Sequence, residues 1–181
     1  HPQFTEPESA LRRAGRVPDQ HVLSEREGFV LHPDRIPADA DLVIIGNPTN
    51  PTGVLHPRST LDALRAPGRV LVIDEAFMDA IVGETDSLIS PDLDGVLVVR
   101  SLTKTWGLAG LRAGYVVGDP SLLRLLAEQQ PHWSVSSLAA RASVAVCAPA
   151  ARAEEAELAR EAATWRHHLV RGLQSLGLAP V

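Results

Sequence analysis

The sequence has little cysteine, no long apolar run and no block of basic residues. The single cysteine, Cys147, cannot form an internal disulfide, and its alanine-rich surroundings predict a buried, inert thiol in a cytoplasmic protein. No apolar run is long enough to cross a bilayer, so we expect no membrane partner. A net charge of −5 without a basic block argues against nucleic acid as the main partner.

The first residues also lack an initiator methionine, and they lack the cationic and apolar regions of a signal peptide. The sequence ends on "GLAPV", where another strand could begin. We therefore expect these residues to be an excerpt of a longer polypeptide.

Four short apolar runs, each rich in Val or Ile and bounded by Gly, Pro or Asp, predict buried strands. They lie at 41–46, 69–74, 95–101 and 114–118, and a weaker candidate lies at 21–25. Continuous apolar runs, unlike alternating ones, are typical of strands that are covered on both faces.

Helical patterns alternate with these strands. The segment 6–15 begins with acidic residues and ends on glycine, and the segment 59–68 begins with hydroxyls and ends on Pro-Gly. Alternation of this kind indicates βαβ units. The predicted fold class is α/β, a mostly parallel sheet with helices on both faces.

Beyond Gly118 the sequence becomes helical throughout, and it contains no internal repeat. Its last long segment predicts one amphipathic helix with a single apolar stripe. The stripe consists of Leu158, Ala162, Trp165, Leu169, Leu173 and Leu176.

Polar residues follow three of the predicted strands. "NPTNPTG" follows the first strand, "DEAF" the second and "SLTK" the third, which supplies Asn50, Asp74 and Lys104. Open parallel sheets bind ligands beyond the carboxyl ends of their strands. We therefore expect these three side chains to converge on one edge of the sheet.

Each motif taken alone has another interpretation. "NPTNPTG" is also an ordinary turn sequence, and Lys104 could be a solvated lysine. Asp74 could cap a helix, or it could be the Mg²⁺-binding aspartate of a Walker B strand in a nucleotide hydrolase. The Walker B interpretation needs a Walker A loop, G-x-x-x-x-G-K-[ST], and this sequence has none.

The combination of residues fits the requirements of pyridoxal 5′-phosphate. This cofactor needs an amine for its aldehyde, a carboxylate for its ring nitrogen and a donor for its 3′-oxygen. It also needs hydroxyls and an arginine for its phosphate. The matching residues are Asn50, Asp74, Ser101, Thr103, Lys104 and Arg112.

In their order and separation, "NPTNPTG", "DEAF" and "SLTKTWGLAGLRAGY" resemble the fold-type I pyridoxal-phosphate enzymes of the aminotransferase class I/II family. The resemblance implies that Lys104 forms the Schiff base, Asp74 pairs with the ring nitrogen and Asn50 contacts the 3′-oxygen. It assigns the cofactor phosphate to a further set: Ser101, Thr103 and Arg112.

The resemblance extends to two aromatic residues and to the domain organisation. Phe4 occupies the position of an aromatic residue that stacks on the cofactor ring, and Phe77 stands where the aminotransferase branch usually has tyrosine. Residues 1–118 would belong to the cofactor-binding large domain. Residues 119–181 would form its helical remainder and a helix leading toward a small domain.

Within the family, Phe77 and "HWSVS" (132–136) favour resemblance to threonine-phosphate decarboxylases of cobalamin synthesis over histidinol-phosphate aminotransferases. Both imply a phosphorylated amino-acid or amino-alcohol substrate and a homodimer. A catalytically incomplete fragment is the other alternative. We expect no metal site, because His132, His167 and His168 lack metal-ligand spacing with a carboxylate or thiol.

Overall fold

The computed structural model describes residues 1–180 and contains four strands and five α-helices. The strands are β1 (Leu42–Gly46), β2 (Val70–Asp74), β3 (Val96–Ser101) and β4 (Gly114–Gly118). The helices are α1 (Glu6–Arg13), α2 (Arg58–Asp62), α3 (Pro120–Gln129), α4 (Ser137–Val146) and α5 (Pro149–Ser175). Short 3₁₀ turns occupy Glu25–Glu27, Pro33–Arg35, Met78–Ala80, Val82–Glu84 and Ala109–Leu111.

The strands form one sheet in the order β1-β2-β3-β4. The first three are parallel, whereas β4 returns antiparallel to β3. All four predicted strands and the mostly parallel sheet are therefore confirmed, but the prediction that all four are buried is wrong for β4, an edge strand whose first three residues are exposed. The weaker candidate at 21–25 is not a strand, and a 3₁₀ turn begins at its last residue.

One face of the sheet carries the main apolar core. Leu71 and Ile73 of β2 and Val96 and Val98 of β3 alternate onto this face, and all four are buried. Leu31, Leu61, Leu64 and Leu88 complete the buried cluster. Because alternate strand residues point to opposite faces, Asp74 and Ser101 lie on the other face of the sheet.

The antiparallel return brings β4 very close to the end of β3. A Cβ atom at Gly114 would lie 2.6 Å from the carbonyl oxygen of Arg100, which is closer than packing allows. Glycine at this position lets the two backbones pair where Ser101 faces Gly114. The close pairing fixes the backbone that follows β3.

The helical segments predicted after Gly118 are confirmed, but their apolar side chains are mostly exposed. The beginning of α5 packs against the turns of residues 78–84, and Glu155 and Ala159 are buried there. Farther along the predicted stripe, Trp165 is 69% exposed and Leu169 is 60% exposed. None of the helices in the described part of the chain is both long and apolar enough to cross a membrane.

The prediction that Cys147 is buried is wrong, because its thiol is exposed. The buried residues of α4 are Ala139 and Val146, which are seven positions apart and therefore share one helical face. Cys147 is the next residue after Val146, so it points about 100° away from that face. An alanine-rich sequence did not reveal this difference.

Candidate functional site

A small cavity lies at the carboxyl ends of β1 and β2, beside the turn that follows β3. Its volume is about 60 Å³. Five of the residues predicted from the sequence line it: Phe4, Asn50, Asp74, Phe77 and Lys104. The expected convergence of an amide, a carboxylate and an amine at one edge of the sheet is thus what the structure shows.

The cavity wall also contains residues that were not predicted from the sequence: Gln3, Pro7, Ile44, Gly46, Pro48 and Ala76. A signal for two of them was present. Gly46 faces Asp74 in the register of β1 and β2, and Ile44 lies two positions earlier, on the same face. Strand periodicity combined with the register would have placed both beside Asp74.

Asp74 is held by the turn that begins at the end of β2. Its Oδ1 accepts a hydrogen bond of 3.0 Å from the backbone N–H of Ala76. Its Oδ2 accepts no hydrogen bond from the described residues, so one carboxylate oxygen remains available to a donor in the cavity. A protonated ring nitrogen is a donor of that kind.

Lys104 is the only lysine in the sequence. Its Nζ lies 5.1 Å from the centroid of the Phe77 ring, within the range of a cation–π contact. The described residues form no salt bridge with this amine. The side chain is exposed, so its amine is accessible from the cavity.

The loop that carries Asn50 is held in place by hydrogen bonds of a different asparagine, Asn47. Asn47 is fully buried; its Nδ2 donates to the carbonyl of His56 at 3.2 Å, and its Oδ1 accepts from the N–H of His56 at 2.7 Å. Thr49 adds a hydrogen bond of 2.8 Å to the carbonyl of Gly46. Burial lowers the pKa of His56, which favours its neutral form in this packed loop.

The three residues predicted to hold a phosphate do not line the cavity. The hydroxyls of Ser101 and Thr103 are paired at 2.8 Å, and the Thr103 N–H donates to Ser101 Oγ at 3.2 Å. Arg112 is exposed, has a left-handed backbone (φ 53°) and donates to the carbonyl of Ala109 at 3.1 Å. A hydrogen bond of 3.1 Å from Leu102 to the carbonyl of Ala113 brings the two backbone segments together.

A group of buried charges lies beneath this edge of the sheet, on the opposite face from Asp74. The Arg100 guanidinium forms ion pairs with Glu75 at 3.1 Å, with Asp79 at 2.8 Å and with Glu84. The contact with Glu75 is an ion pair without a well-directed hydrogen bond, because the Arg100 Nε–H has no aligned acceptor among the described residues.

Burial raises the pKa values of Glu75 and Asp79, and the positive charge of Arg100 opposes that rise. This group was not predicted from the sequence, although the arginine that ends the apolar run "VLVV" is a visible signal. Asp79, Glu84 and Glu155 also place carboxylate oxygens within 4.8 Å of one another. The Arg100 guanidinium already pairs with Asp79 and Glu84, so the cluster gives no reason to assign a metal.

Comparison with known proteins places these motifs in a family. The sequence model of the family "Aminotransferase class I and II" matches residues 23–181. A histidinol-phosphate aminotransferase of Mycobacterium tuberculosis is 51% identical over 176 residues, which is 97% of this chain and 48% of that protein. A threonine-phosphate decarboxylase of Salmonella typhimurium is 36% identical over 151 residues, which is 78% of this chain and 41% of that protein.

The fold agrees with solved structures. A mutant aspartate aminotransferase of Thermus thermophilus superposes with a TM-score of 0.85 at 29% identity, covering 98% of this chain and 53% of that one. The chain thus spans about half the length of the relatives that it matches. With the family's motifs at the carboxyl edge of the sheet, this chain belongs to the class I and II aminotransferases, a family dependent on pyridoxal 5′-phosphate.

Proposed function

We propose that this chain forms the cofactor-binding part of a pyridoxal-phosphate enzyme that acts on a phosphorylated amino acid or amine. The observation that carries this proposal is that Asn50, Asp74 and Lys104 line the same cavity. The family accounts for all three motifs, so it leaves the Walker B interpretation of Asp74 without support. In the same proposal, residues 1–118 belong to the large domain, and residues 119–181 form its helical remainder and the connecting helix.

The chemistry of the cavity wall fits the cofactor. It offers one amine, one carboxylate oxygen that accepts no hydrogen bond from the described residues, one amide and two aromatic side chains. Bound pyridoxal phosphate supplies an electron-accepting ring that stabilises negative charge on the substrate's α-carbon. The residues of this chain would hold the cofactor and move protons at the substrate.

Lys104 would hold the aldehyde carbon through its Nζ and, once displaced by the substrate's amino group, would move a proton at the α-carbon. Asp74 would keep the ring nitrogen protonated, because an ionised carboxylate favours a positively charged partner. Asn50 would donate its amide N–H to the ring's 3′-oxygen. Phe77 contributes no hydroxyl, so Asn50 is the donor to that oxygen that we assign.

Ser101, Thr103 and Arg112 remain our proposal for the cofactor phosphate. The paired hydroxyls of Ser101 and Thr103 can both turn toward an anion, since a hydroxyl hydrogen rotates freely. Among the residues that the structure describes, Arg112 donates to one backbone carbonyl, so its remaining N–H groups can bind phosphate oxygens.

The absence of any second lysine gives a direct test of this assignment. We expect the chain incubated with pyridoxal phosphate to develop a visible absorption band and, after borohydride reduction, to carry one phosphopyridoxyl group on Lys104. Lys104→Arg retains the charge and removes the reactive amine, so it should carry none. A modification that maps only to the N-terminal amine, or that persists in Lys104→Arg, would refute the proposed site.

The substrate is the finer part of the proposal. The sequence at Phe77 and "HWSVS" supports decarboxylation of threonine phosphate, whereas the 51% identity supports transamination of histidinol phosphate. We propose the decarboxylation first, because Phe77 lines the cavity and cannot supply a second donor to the 3′-oxygen.

Activity assays of the complete enzyme, which we propose is a homodimer, distinguish between these two reactions. Release of CO₂ from threonine phosphate would support the decarboxylase. Formation of glutamate from 2-oxoglutarate in the presence of histidinol phosphate would reverse the choice. A chain that carries the adduct on Lys104 but turns over neither substrate would match the catalytically incomplete fragment.

A further inference from the structure

We propose that Arg100 is a positioning residue that holds the turn carrying Asp74 and Phe77 in a fixed arrangement relative to the turn carrying Ser101 and Lys104. This inference rests on the proposed function of the cavity, and it adds a residue that does not touch the cavity. Arg100 is 5% exposed and lies at the end of β3, one position before Ser101.

Arg100 and Asp74 lie on opposite faces of the sheet. Asp74 faces Val99 in the register of β2 and β3, so Asp74, Val99 and Ser101 point to one face. Glu75 and Arg100 are the next residues on each strand and therefore share the opposite face. The ion pair between them joins the two strand ends directly beneath the proposed cofactor position.

The partners of Arg100 are adjacent to cavity residues in the chain. Glu75 follows Asp74, and Asp79 lies two positions after Phe77. Asp79 also accepts a hydrogen bond of 3.3 Å from Thr105, the residue after Lys104. The Arg100 guanidinium thus contacts Glu75, next to Asp74, and Asp79, two positions after Phe77, and through Asp79 it is connected to Thr105, next to Lys104.

Glu75 also connects this network of charges to the buried core. The carboxylate of Glu75 accepts hydrogen bonds of 2.7 Å from both the Ser87 hydroxyl and the Leu88 N–H. Both donors belong to the buried layer of the domain. The planar guanidinium of Arg100 donates directed hydrogen bonds to Asp79 and Glu84 while its Nε lies 3.1 Å from Glu75, whereas the rotatable ammonium group of lysine has no such fixed geometry. Arg100 therefore connects both turns to the packed core.

Amide hydrogen exchange of the full chain without cofactor provides the first test. The Met78 N–H donates to Glu75 at 3.0 Å in one turn, and the Leu108 N–H donates to Thr103 at 3.0 Å in the other. The Leu71 N–H, bonded to Gly95 at 2.9 Å in the sheet, serves as the internal reference. These three amides separate local loosening from global unfolding.

In Arg100→Lys we expect exchange at Met78 and Leu108 to rise by about tenfold, relative to Leu71, because directed bonds to charged partners are lost. Thr105→Val, which removes one hydrogen bond at similar volume, should raise exchange at Leu108 by about fivefold. The matched control is Arg69→Met. Arg69 donates to the carbonyls of Ala40, Leu64 and Pro37 at the other end of the sheet, so this change should leave exchange at Met78 and Leu108 unaltered, whatever its effect on the nearby Leu71.

The same variants are then titrated with pyridoxal phosphate. Arg100→Lys should bind the cofactor at least about tenfold more weakly than wild type, whereas Arg69→Met should bind it as wild type does. Unchanged exchange in either turn of Arg100→Lys, or an equal rise at Leu71, would overturn the positioning role. If wild type binds the cofactor, an equal cofactor affinity of Arg100→Lys would also overturn the positioning role.

A wild type that never forms the Lys104 adduct would instead refute the proposed function of the cavity. The exchange ratios would still decide whether Arg100 couples the two turns.

Discussion

The sheet region and the helical region that follows it use apolar residues in different ways. Leu71, Ile73, Val96 and Val98 of the sheet are almost completely buried. In α5, Trp165 and Leu169 belong to an equally regular apolar pattern, yet most of their surface is exposed. The comparison shows that periodicity predicts the element and its apolar face. Burial of that face also requires a packing partner, which the described residues do not provide for Trp165 and Leu169.

Polar residues show the same contrast. The charged residues at the end of β2 and β3 are buried and paired through Arg100, whereas the pair between Arg160 and Glu157 on α5 lies at the surface. Water cannot solvate a buried charge that has lost its partner, but it can solvate an exposed charge. Substitutions in the two regions should therefore differ in cost, and the following predictions test that difference.

The largest effect is expected for Arg100→Met, which leaves the buried carboxylates of Glu75 and Asp79 without their cation. We predict a loss of about 3–5 kcal/mol in the free energy of unfolding, measured by urea denaturation. The matched change Arg160→Met should remain within about 0.5 kcal/mol of wild type. Equal losses in the two variants would contradict the contrast between buried and exposed charge.

A smaller loss is expected when the sheet core is truncated. Leu71→Ala should lower the free energy of unfolding by about 3 kcal/mol, because it removes buried methyl groups and leaves a cavity. Leu169→Ala on α5 should change it by less than about 0.5 kcal/mol. If Leu169→Ala were as costly as Leu71→Ala, the helical stripe would have to be buried in solution.

The helical region should nevertheless depend on its caps. Ser136 Oγ accepts a hydrogen bond of 3.1 Å from the Ala139 N–H at the start of α4. Ser136→Ala should cost about 1 kcal/mol by urea denaturation, because that N–H loses its partner. Ser137→Ala, one position along and without such a bond, is the control, and a cost equal to that of Ser136→Ala would argue against capping.

The smallest effect at neutral pH is expected at His56. Burial lowers its pKa below the ordinary value of 6.5, so the unfolded chain binds a proton more readily than the folded chain does. The stability associated with His56 is therefore present above pH 6.5 and is lost as the pH falls below it.

Urea denaturation between neutral and acid pH measures this dependence. His56→Gln should flatten the decline of stability with falling pH, whereas His167→Gln, on the exposed surface of α5, should follow wild type. Parallel pH profiles for wild type and His56→Gln would show that the buried imidazole does not contribute.

The sequence by itself determined the four strands, the helical segments after Gly118 and the candidate residues Asn50, Asp74 and Lys104, whereas the helix predicted at 59–68 ends at Asp62 and has no hydroxyl cap. Short apolar runs and the polar residues that follow them are local signals, and parallel strands necessarily bring their carboxyl ends to one edge. Phe4 and Phe77 came from the family resemblance, and the structure places both at the cavity.

Only the tertiary structure decided which side chains share a cavity, that Cys147 is exposed and that Arg100 joins two turns from beneath. Each of these depends on register and on contacts between residues far apart in the chain. Arg100 and Asp79 are 21 positions apart, and no local pattern specifies a bond over that distance. The chain encodes its elements locally, but their relative placement follows from how the buried faces pack.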